Sequence, residues 1–277
     1  MLPENMKFEN IVRDLTVDKN VFLRELAATT PPSREYVVMF TARSGSTWLT
    51  NVLSGTKLLG SPEEFINPDF VLEVARSLNA KEAIPFLELL RCRRKSPNGV
   101  FGIEARHVDI ELIGEEAFFK IFGSETIFFN LWRENIVAQA ISLYRAVNSG
   151  RYHSTDAAVS GVPPYDANQI NRWLVHLHLQ ENANIKLLHK RAIPFSNLRY
   201  ETMVKNRDAT VAHFFNRLGI TRTLETNDSP VVDELQKVGD QWNEEIERRF
   251  RTERSESVAE FEASRLIHQL RPEDIAI

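Results

Sequence analysis

Residues 36 to 48 hold the feature that most restricts the fold. Tyr36-Val37-Val38-Met39-Phe40 is an uninterrupted apolar run rich in β-branched and aromatic side chains, and it passes directly into Thr41-Ala42-Arg43-Ser44-Gly45-Ser46-Thr47. A run of that kind reads as a strand buried on both faces, as in a parallel sheet covered by helices. From Trp48 onward, Trp48, Leu49, Val52 and Leu53 fall at helical spacing, with Ser46 or Thr47 available to cap the start. Strand, small-residue turn and helix N-terminus in succession converge backbone N–H groups on one spot. Such a nest attracts a phosphate or sulfate, and Arg43 supplies formal charge. A plain capped strand-to-helix turn has the same local pattern, so the rest of the chain has to decide.

Three further strand signals follow. Val100 to His107 comes after the turn Ser96-Pro97-Asn98-Gly99, Thr126 to Trp132 is strongly apolar, and Pro194 to Tyr200 is short. Between them lie helical patterns. Asn67-Pro68 reads as an N-cap and first helical position before a face of Phe70, Val74 and Leu78, and further helices are predicted over Glu82 to Arg93 and Asp109 to Phe122. Ile136, Ala140, Tyr144 and Val147 form another stripe, followed by a helix over Asn168 to Ala192, one over Asp208 to Leu218 closed by Gly219, and a charged helical tail from Asp240 to Leu270. The alternation predicts an α/β fold with a mostly parallel sheet flanked by helices, whose ligands bind outside the carboxyl ends of the strands. Arg43 to Thr47, Glu104 to Arg106, and Arg133 each follow a predicted strand. One crevice could gather all three, with Glu104 and Arg106 on one strand face. Residues 1–33 read as an N-terminal helical arm with a helix over Asp18 to Ala28, and residues 34–277 as one domain. Ser149 to Asp166 is a long loop, either a lid or a surface connection.

Composition excludes several classes. With 277 residues, 43% hydrophobic, the chain can bury one large core, and its net charge of -4 argues against nucleic acid as a partner. The basic runs at Arg91 to Lys95 and Arg248 to Arg254 read as solvated helix faces. The single Cys92 rules out an internal disulfide and a multi-cysteine zinc cluster. No signal-peptide pattern and no apolar span of about 20 residues is found, so the expectation is a cytoplasmic protein without an integral membrane segment. His176 and His178 do not share a helix face and no HExxH is present, so no metal is expected. The turn at 41–47 also lacks the Gly-Lys-Ser/Thr of nucleotide-triphosphate P-loops, which counts against kinase chemistry and favours an anionic ester handled without a metal.

Four blocks in register carry a more specific signal. Arg43-Ser44-Gly45-Ser46-Thr47-Trp48, Ser61-Pro62-Glu63-Glu64-Phe65, Pro97-Asn98-Gly99-Val100-Phe101-Gly102, and Leu131-Trp132-Arg133 through Gln139-Ala140-Ile141-Ser142 to Tyr144-Arg145-Ala146 occur in order. From about Tyr36 to about Arg251 the chain resembles the Stf0-type bacterial sulfotransferases. That resemblance implies a P-loop-like sulfotransferase fold and transfer of a sulfuryl group from 3′-phosphoadenosine-5′-phosphosulfate (PAPS), with 3′,5′-adenosine bisphosphate (PAP) as product, to a carbohydrate or glycolipid hydroxyl. It implies a phosphosulfate cradle at Arg43, Ser44, Gly45, Ser46, Thr47 and Trp48, a 3′-phosphate site at Arg133 and Ser142, and Glu64 as catalytic base. It also suggests Tyr200 near the adenine, Lys237 in a late cofactor loop, Arg145 in a supporting role, and a homodimer formed through the N-terminal arm or the long helices.

The residues make chemical sense of these assignments. An alcohol is a poor nucleophile while it keeps its proton, and Phe65 and Ile66 beside Glu64 would desolvate a carboxylate and make it a better base. Glu63 is the neighbouring acid, and in an extended segment the two point apart. One position departs from the family's pattern: where that pattern places a lysine after the Phe101-Gly102 strand, this chain has Ile103, Glu104 and then Arg106. Glu104 and Arg106, with Glu63, are therefore expected on the acceptor side, Glu104 as a sugar ligand or alternative base and His107 as a further base. Two other classes stay open on the residues alone: an ATP-dependent phosphotransferase, and a non-catalytic nucleotide- or glycan-binding relative.

Overall fold

The computed structural model describes residues 3–150, 163–221 and 241–270. In chain order the elements are α1 (Phe8–Ile11), α2 (Lys19–Ala27), β1 (Arg34–Met39), α3 (Ser46–Gly55), α4 (Val71–Ser77), α5 (Ala83–Arg94) and β2 (Val100–Ala105). After them come α6 (His107–Ile113), α7 (Glu115–Ile121), β3 (Ile127–Trp132), α8 (Ile136–Ser149), α9 (Ala167–Lys190), β4 (Phe195–Arg199), α10 (Tyr200–Met203), α11 (Arg207–Leu218), α12 (Gln241–Glu253) and α13 (Ser255–Ser264).

The four strands form one sheet in the order β2-β1-β3-β4, and every pairing is parallel. The apolar run in β1 explains why it lies inside the sheet. Val37 and Met39 face a core shared with α5, α6 and α7, whereas Tyr36, Val38 and Phe40 face a second core shared with α3 and α11. Alternate side chains are thus buried on opposite faces, and burying each large one contributes about 1.5–3 kcal/mol. Gly102 in β2 is required by the Tyr36 ring, whose Cζ would lie 2.3 Å from a Cβ at that position. A third core joins α8, α9, α12 and α13. The N-terminal residues reach the sheet's first core, where fully buried Phe8 packs against Phe86 with ring centroids 5.0 Å apart.

Several local expectations are corrected. The helix after Asn67-Pro68 starts later, at Val71, and Phe70 is 55% exposed at its N-cap instead of heading a buried face. Asp109 to Phe122 is not one helix, because Gly114 takes φ 97 and splits it into α6 and α7. Val147 is exposed although its stripe partners Ile136, Ala140 and Tyr144 are buried. Strand β2 stops at Ala105, so Arg106 does not share a strand face with Glu104; it caps α6 and forms a two-pronged ion pair with Asp109.

With all strands parallel, their carboxyl ends lie along one edge of the sheet. The register Val38↔Glu104 and Met39↔Ala105 on one side of β1, and Met39↔Asn130 on the other, brings the turn after β1 between the ends of β2 and β3. That is where a strand order of this kind leaves a crevice.

Candidate functional site

The turn leaving β1 is held open at its entrance by left-handed backbone. Arg43 has φ 64 and Gly45 has φ 99, and a left-handed conformation costs an ordinary residue such as Arg43 roughly 1–2 kcal/mol. Strain of this sort persists where the surroundings enforce it, and it collects at binding sites. Here Gln139 of α8 does the enforcing. Its amide nitrogen donates to Thr41 Oγ1 at 2.8 Å and to the Ala42 carbonyl at 2.7 Å. Asn184 of α9 donates to the Phe40 carbonyl at 2.8 Å and accepts from the His107 N–H at 2.8 Å, fixing the end of β1 to the start of α6. Helix α3 then starts at Ser46 behind Gly45 with no side-chain cap, so neither Ser46 nor Thr47 serves as the cap. The first N–H groups of a helix have no intrahelical partners. They point into the turn.

Ser44 is fully buried in this turn, and its hydroxyl has no hydrogen-bond partner. An orphaned buried hydroxyl costs about 1–3 kcal/mol, a penalty a bound acceptor oxygen would remove. Arg43 Nε donates to Ser142 Oγ on α8 at 3.1 Å. Arg133, at the end of β3, donates weakly to the Arg43 carbonyl at 3.4 Å, and its guanidinium lies 4.9 Å from the centre of the Tyr200 ring. Arg133 Nε is buried without a hydrogen bond among the described residues, and the Glu201 carboxylate lies 3.8 Å from it. Tyr200 in turn lies against Gly45, so closely that a Cβ there would sit 2.3 Å from ring atom Cδ2. Arg43, Ser44, Gly45, Ser46, Thr47, Arg133, Ser142 and Tyr200 thus come together. Trp48 packs against the second core, and Arg145 donates to Asn243 Oδ1 at 2.7 Å with its guanidinium over the Trp242 ring. Lys237 lies outside the described residues, as does most of the predicted loop at 149–166.

A second cluster lies beside α3 and the end of β2. Residues 61–64 run beside β2, where Glu63 bridges Ile103 and its carbonyl accepts from the Glu104 N–H at 3.1 Å. This extended path turns Glu63 outward to Ser61 at 3.1 Å, while Glu64 Oε2 accepts from the Asn67 side chain at 2.6 Å. Phe65 and Ile66 behind Glu64 are buried, and Phe65 stacks on Phe101. Burial works to lower the Arg106 pKa, but the hydrogen bonds and charge of Asp109, with the charges of Glu64 and Asp69, raise it on balance. Glu64 and Arg106 therefore share one electrostatic environment. Burial and then the nearby Arg106 charge lower the pKa of His176 on α9.

Glu104 is 3% exposed and touches Thr50 of α3 at 2.7 Å. Burial is the chief cause that raises its pKa to about 8; Thr50 and Ser46 hydrogen bonds act against it, and Glu64 and Glu63 add to it. The carboxyl thus joins the two clusters from beneath.

Residues 35–253 match the profile of the family described as Stf0 sulphotransferase. The chain belongs to that family. Its relatives include a trehalose 2-sulfotransferase of Mycobacterium tuberculosis, 24% identical over 225 residues that cover 67% of this chain and 84% of the relative. Among solved structures, the sulfotransferase domain of the Synechococcus PCC 7002 olefin synthase aligns over 80% of this chain and 89% of its own, at 15% identity and a TM-score of 0.43. Within the Stf0 match, Gln139 and Asn184 brace the turn and Thr50 ties α3 to Pro62 and Glu104; Asn184 and Thr50 lie outside the four sequence blocks, and nothing local singled them out.

Outside that match lies Arg265. It is fully buried, binds Glu181 with two nitrogens at 2.9 and 2.7 Å, and donates to the carbonyls of Glu134 at 2.7 Å and Arg133 at 2.6 Å. It braces the backbone that carries Arg133, and nothing in the sequence around it announces that role. Among the described residues no group of three or more His, Cys, Asp or Glu could hold a metal, and no helix is long and apolar enough to cross a membrane.

Proposed function

We propose that this Stf0 sulphotransferase uses PAPS as donor and a carbohydrate hydroxyl, free or on a glycolipid, as acceptor. The observation that carries the donor reading is the buried, partnerless Ser44 hydroxyl in a turn whose backbone N–H groups, Arg43–Ser142 pair and Arg133 all favour an anion. The group fits: the turn suits the 5′-phosphosulfate, while Arg133 and Ser142, brought to it from β3 and α8, suit the 3′-phosphate. PAPS bound there supplies a sulfuryl group that passes to the acceptor oxygen, with PAP released. The acceptor class is supported by the trehalose 2-sulfotransferase relative.

The chain's own groups then divide the work. The turn N–H groups, Ser44, Ser46 and Thr47 stabilise the negative charge that grows on the donor's bridging oxygen as its bond to sulfur breaks. Arg43 and Arg133 hold the nucleotide by charge-assisted hydrogen bonds, the stronger class of such bonds. Tyr200, lying on Gly45 beneath the Arg133 guanidinium, offers an aromatic face near the base of the nucleotide. Glu64 takes the proton from the acceptor hydroxyl; the extended path of residues 61–64, which leaves Glu63 facing Ser61, supports the choice of Glu64 over Glu63. Arg106 beside it completes the acceptor side.

Thermal-shift titration with PAP and with ATP plus magnesium tests the donor, followed by a radiolabelled sulfate-transfer screen over glycans. Stabilisation by PAP and not by ATP, with sulfate appearing on a glycan hydroxyl, is the expected result. Preference for ATP with magnesium would instead indicate phosphoryl transfer, and PAP binding without transfer would indicate a binding protein.

A further inference from the structure

One contact in the floor of the site cannot be made by charged carboxylates. Thr50 Oγ1 lies 2.6 Å from the Pro62 carbonyl oxygen and 2.7 Å from Glu104 Oε1. Both are full hydrogen-bond lengths between oxygens, and a threonine hydroxyl has one proton. The Pro62 carbonyl can only accept, so both contacts are hydrogen bonds at once only with the threonine proton on Pro62 and a second proton on the Glu104 carboxyl. The contact with Glu104 then sets two lone pairs against each other unless Glu104 supplies a proton of its own. A carboxylate has none to give.

We propose that Glu104 acts as a neutral carboxylic acid whose proton closes a chain of hydrogen bonds from Glu104 to Thr50 to Pro62, positioning the donor turn at the start of α3 against the segment that carries Glu64. The functional half of this proposal rests on the reading of those two places as donor and base sites. The connection is short on both sides. Ser46, the first residue of α3, hydrogen-bonds the same carboxyl, and the Glu104 N–H bonds the Glu63 carbonyl. Loss of the proton would remove the donor to Thr50 and place a negative charge in a buried site beside Glu64 and Glu63. Glu104 is thus a positioning residue.

Among the described residues these charged and titratable groups face it. The 61–64 segment presents the Glu63 and Glu64 carboxylates, and α3 presents only the Ser46 and Thr50 hydroxyls. From β1 comes Tyr36, whose pKa is pushed well above the ordinary range by burial and then by Glu104 itself, so its hydroxyl keeps its proton and donates to the Leu59 carbonyl at 2.7 Å. Arg106, two residues on, is engaged by Asp109. Burial, as its first cause, holds the Glu104 proton until about pH 8.

Glu104→Gln keeps an N–H donor for Thr50 and cannot ionise, whereas Glu104→Ala has no donor. PAP affinity and sulfate transfer would be followed from pH 6.5 to 9.5 in the wild type and both variants. The urea-unfolding constant, read without any ligand, would be followed from pH 4.5 to 9.5. At pH 7 the glutamine variant is expected to bind PAP at least tenfold more tightly than the alanine variant. Above pH 8 wild-type PAP affinity should fall by up to about tenfold per unit, while the glutamine variant stays level.

The unfolding arm has its own sign. Between pH 4.5, the ordinary carboxyl value, and about 8, the folded wild type holds a proton that the unfolded chain has lost. Its folding constant relative to Glu104→Gln should therefore drop about tenfold per pH unit and level off above that window. A ratio that does not change with pH overturns the proposal. So does a Glu104→Gln variant that keeps its PAP affinity but loses transfer as completely as Glu104→Ala, since the carboxylate would then act in the chemistry. Absence of PAP binding by the wild type at every pH would sink the donor reading alone, and the unfolding ratio would still decide the proton.

Discussion

Gly45 is the point where the donor turn, the aromatic ring of Tyr200 and the Arg133 guanidinium meet, so Gly45→Ala perturbs all three through one methyl group. Two separate costs follow from the geometry. Backbone at φ 99 is strained for any L-residue, by roughly 1–2 kcal/mol. The added Cβ would also lie 2.3 Å from Tyr200 Cδ2 and 2.6 Å from Cε2, far inside contact distance. Tyr200 cannot yield without cost, because Arg133 lies over its ring at 4.9 Å. Forced overpacking of that kind costs about 1–3 kcal/mol, for a total of about 2–5 kcal/mol. A domain stable by roughly 5–15 kcal/mol would still fold, with a clearly lower urea midpoint. The decisive assay is a double-mutant cycle with Tyr200→Ala. Removing the ring abolishes the clash but not the backbone strain, so the double variant should be about 1–3 kcal/mol more stable than the sum of the single costs predicts. PAP affinity should drop in Gly45→Ala as Arg133 is pushed aside. Additive costs, with no coupling beyond ~0.5 kcal/mol, would mean that Tyr200 does not rest on Gly45 in solution.

Three other substitutions probe separate parts of the site. Glu64→Ala should lower the rate of transfer by roughly 10²- to 10⁴-fold, measured with radiolabelled sulfate under saturating donor, and nearly unchanged turnover would remove Glu64 from the role of base. Arg133→Ala should weaken nucleotide binding by about 1.5–3 kcal/mol in calorimetry, and the loss should vanish for a nucleotide lacking the 3′-phosphate. Equal losses for both nucleotides would argue against the assignment. Arg265→Met strands a Glu181 carboxylate that is only 4% exposed, and should destabilise the fold by about 3–5 kcal/mol in urea. Adding Glu181→Leu should restore much of that loss; a single variant as stable as the wild type would show that the brace under Arg133 is not formed.

The sequence alone determined the features that repeat locally. A strand buried on both faces needs a nearly continuous apolar run, which Tyr36 to Phe40 supplies fully and Ile127 to Trp132 supplies but for Asn130, whose buried amide bonds Asn197 on β4, and a helix start behind a small-residue turn is visible in Ser44 to Trp48. Four such strands separated by helices were enough for a parallel α/β sheet, and parallel strands oblige the polar clusters at their ends to share one edge. Errors arose where a local rule met a longer-range one. Arg106 alternates correctly with Glu104, but β2 ends before it and Asp109 claims its side chain. Phe70 has helical spacing, yet α4 begins one residue later and leaves it in solvent.

Only the tertiary structure decided which distant groups meet. Tyr200 lies on Gly45 and Arg265 braces Arg133 because chain crossovers bring separate elements to the same strand end, and no periodicity encodes such a meeting. Glu104 shows the difference most clearly. In the sequence it was an acid standing where the family's pattern has a lysine, and it was expected to face the acceptor. In the fold its register opposite Val38 buries it beside α3, where Thr50, shared with the Pro62 carbonyl, can bond both only if Glu104 keeps a proton. Charge type is written in the residue, but charge state depends on how much water and which partners the fold leaves around it.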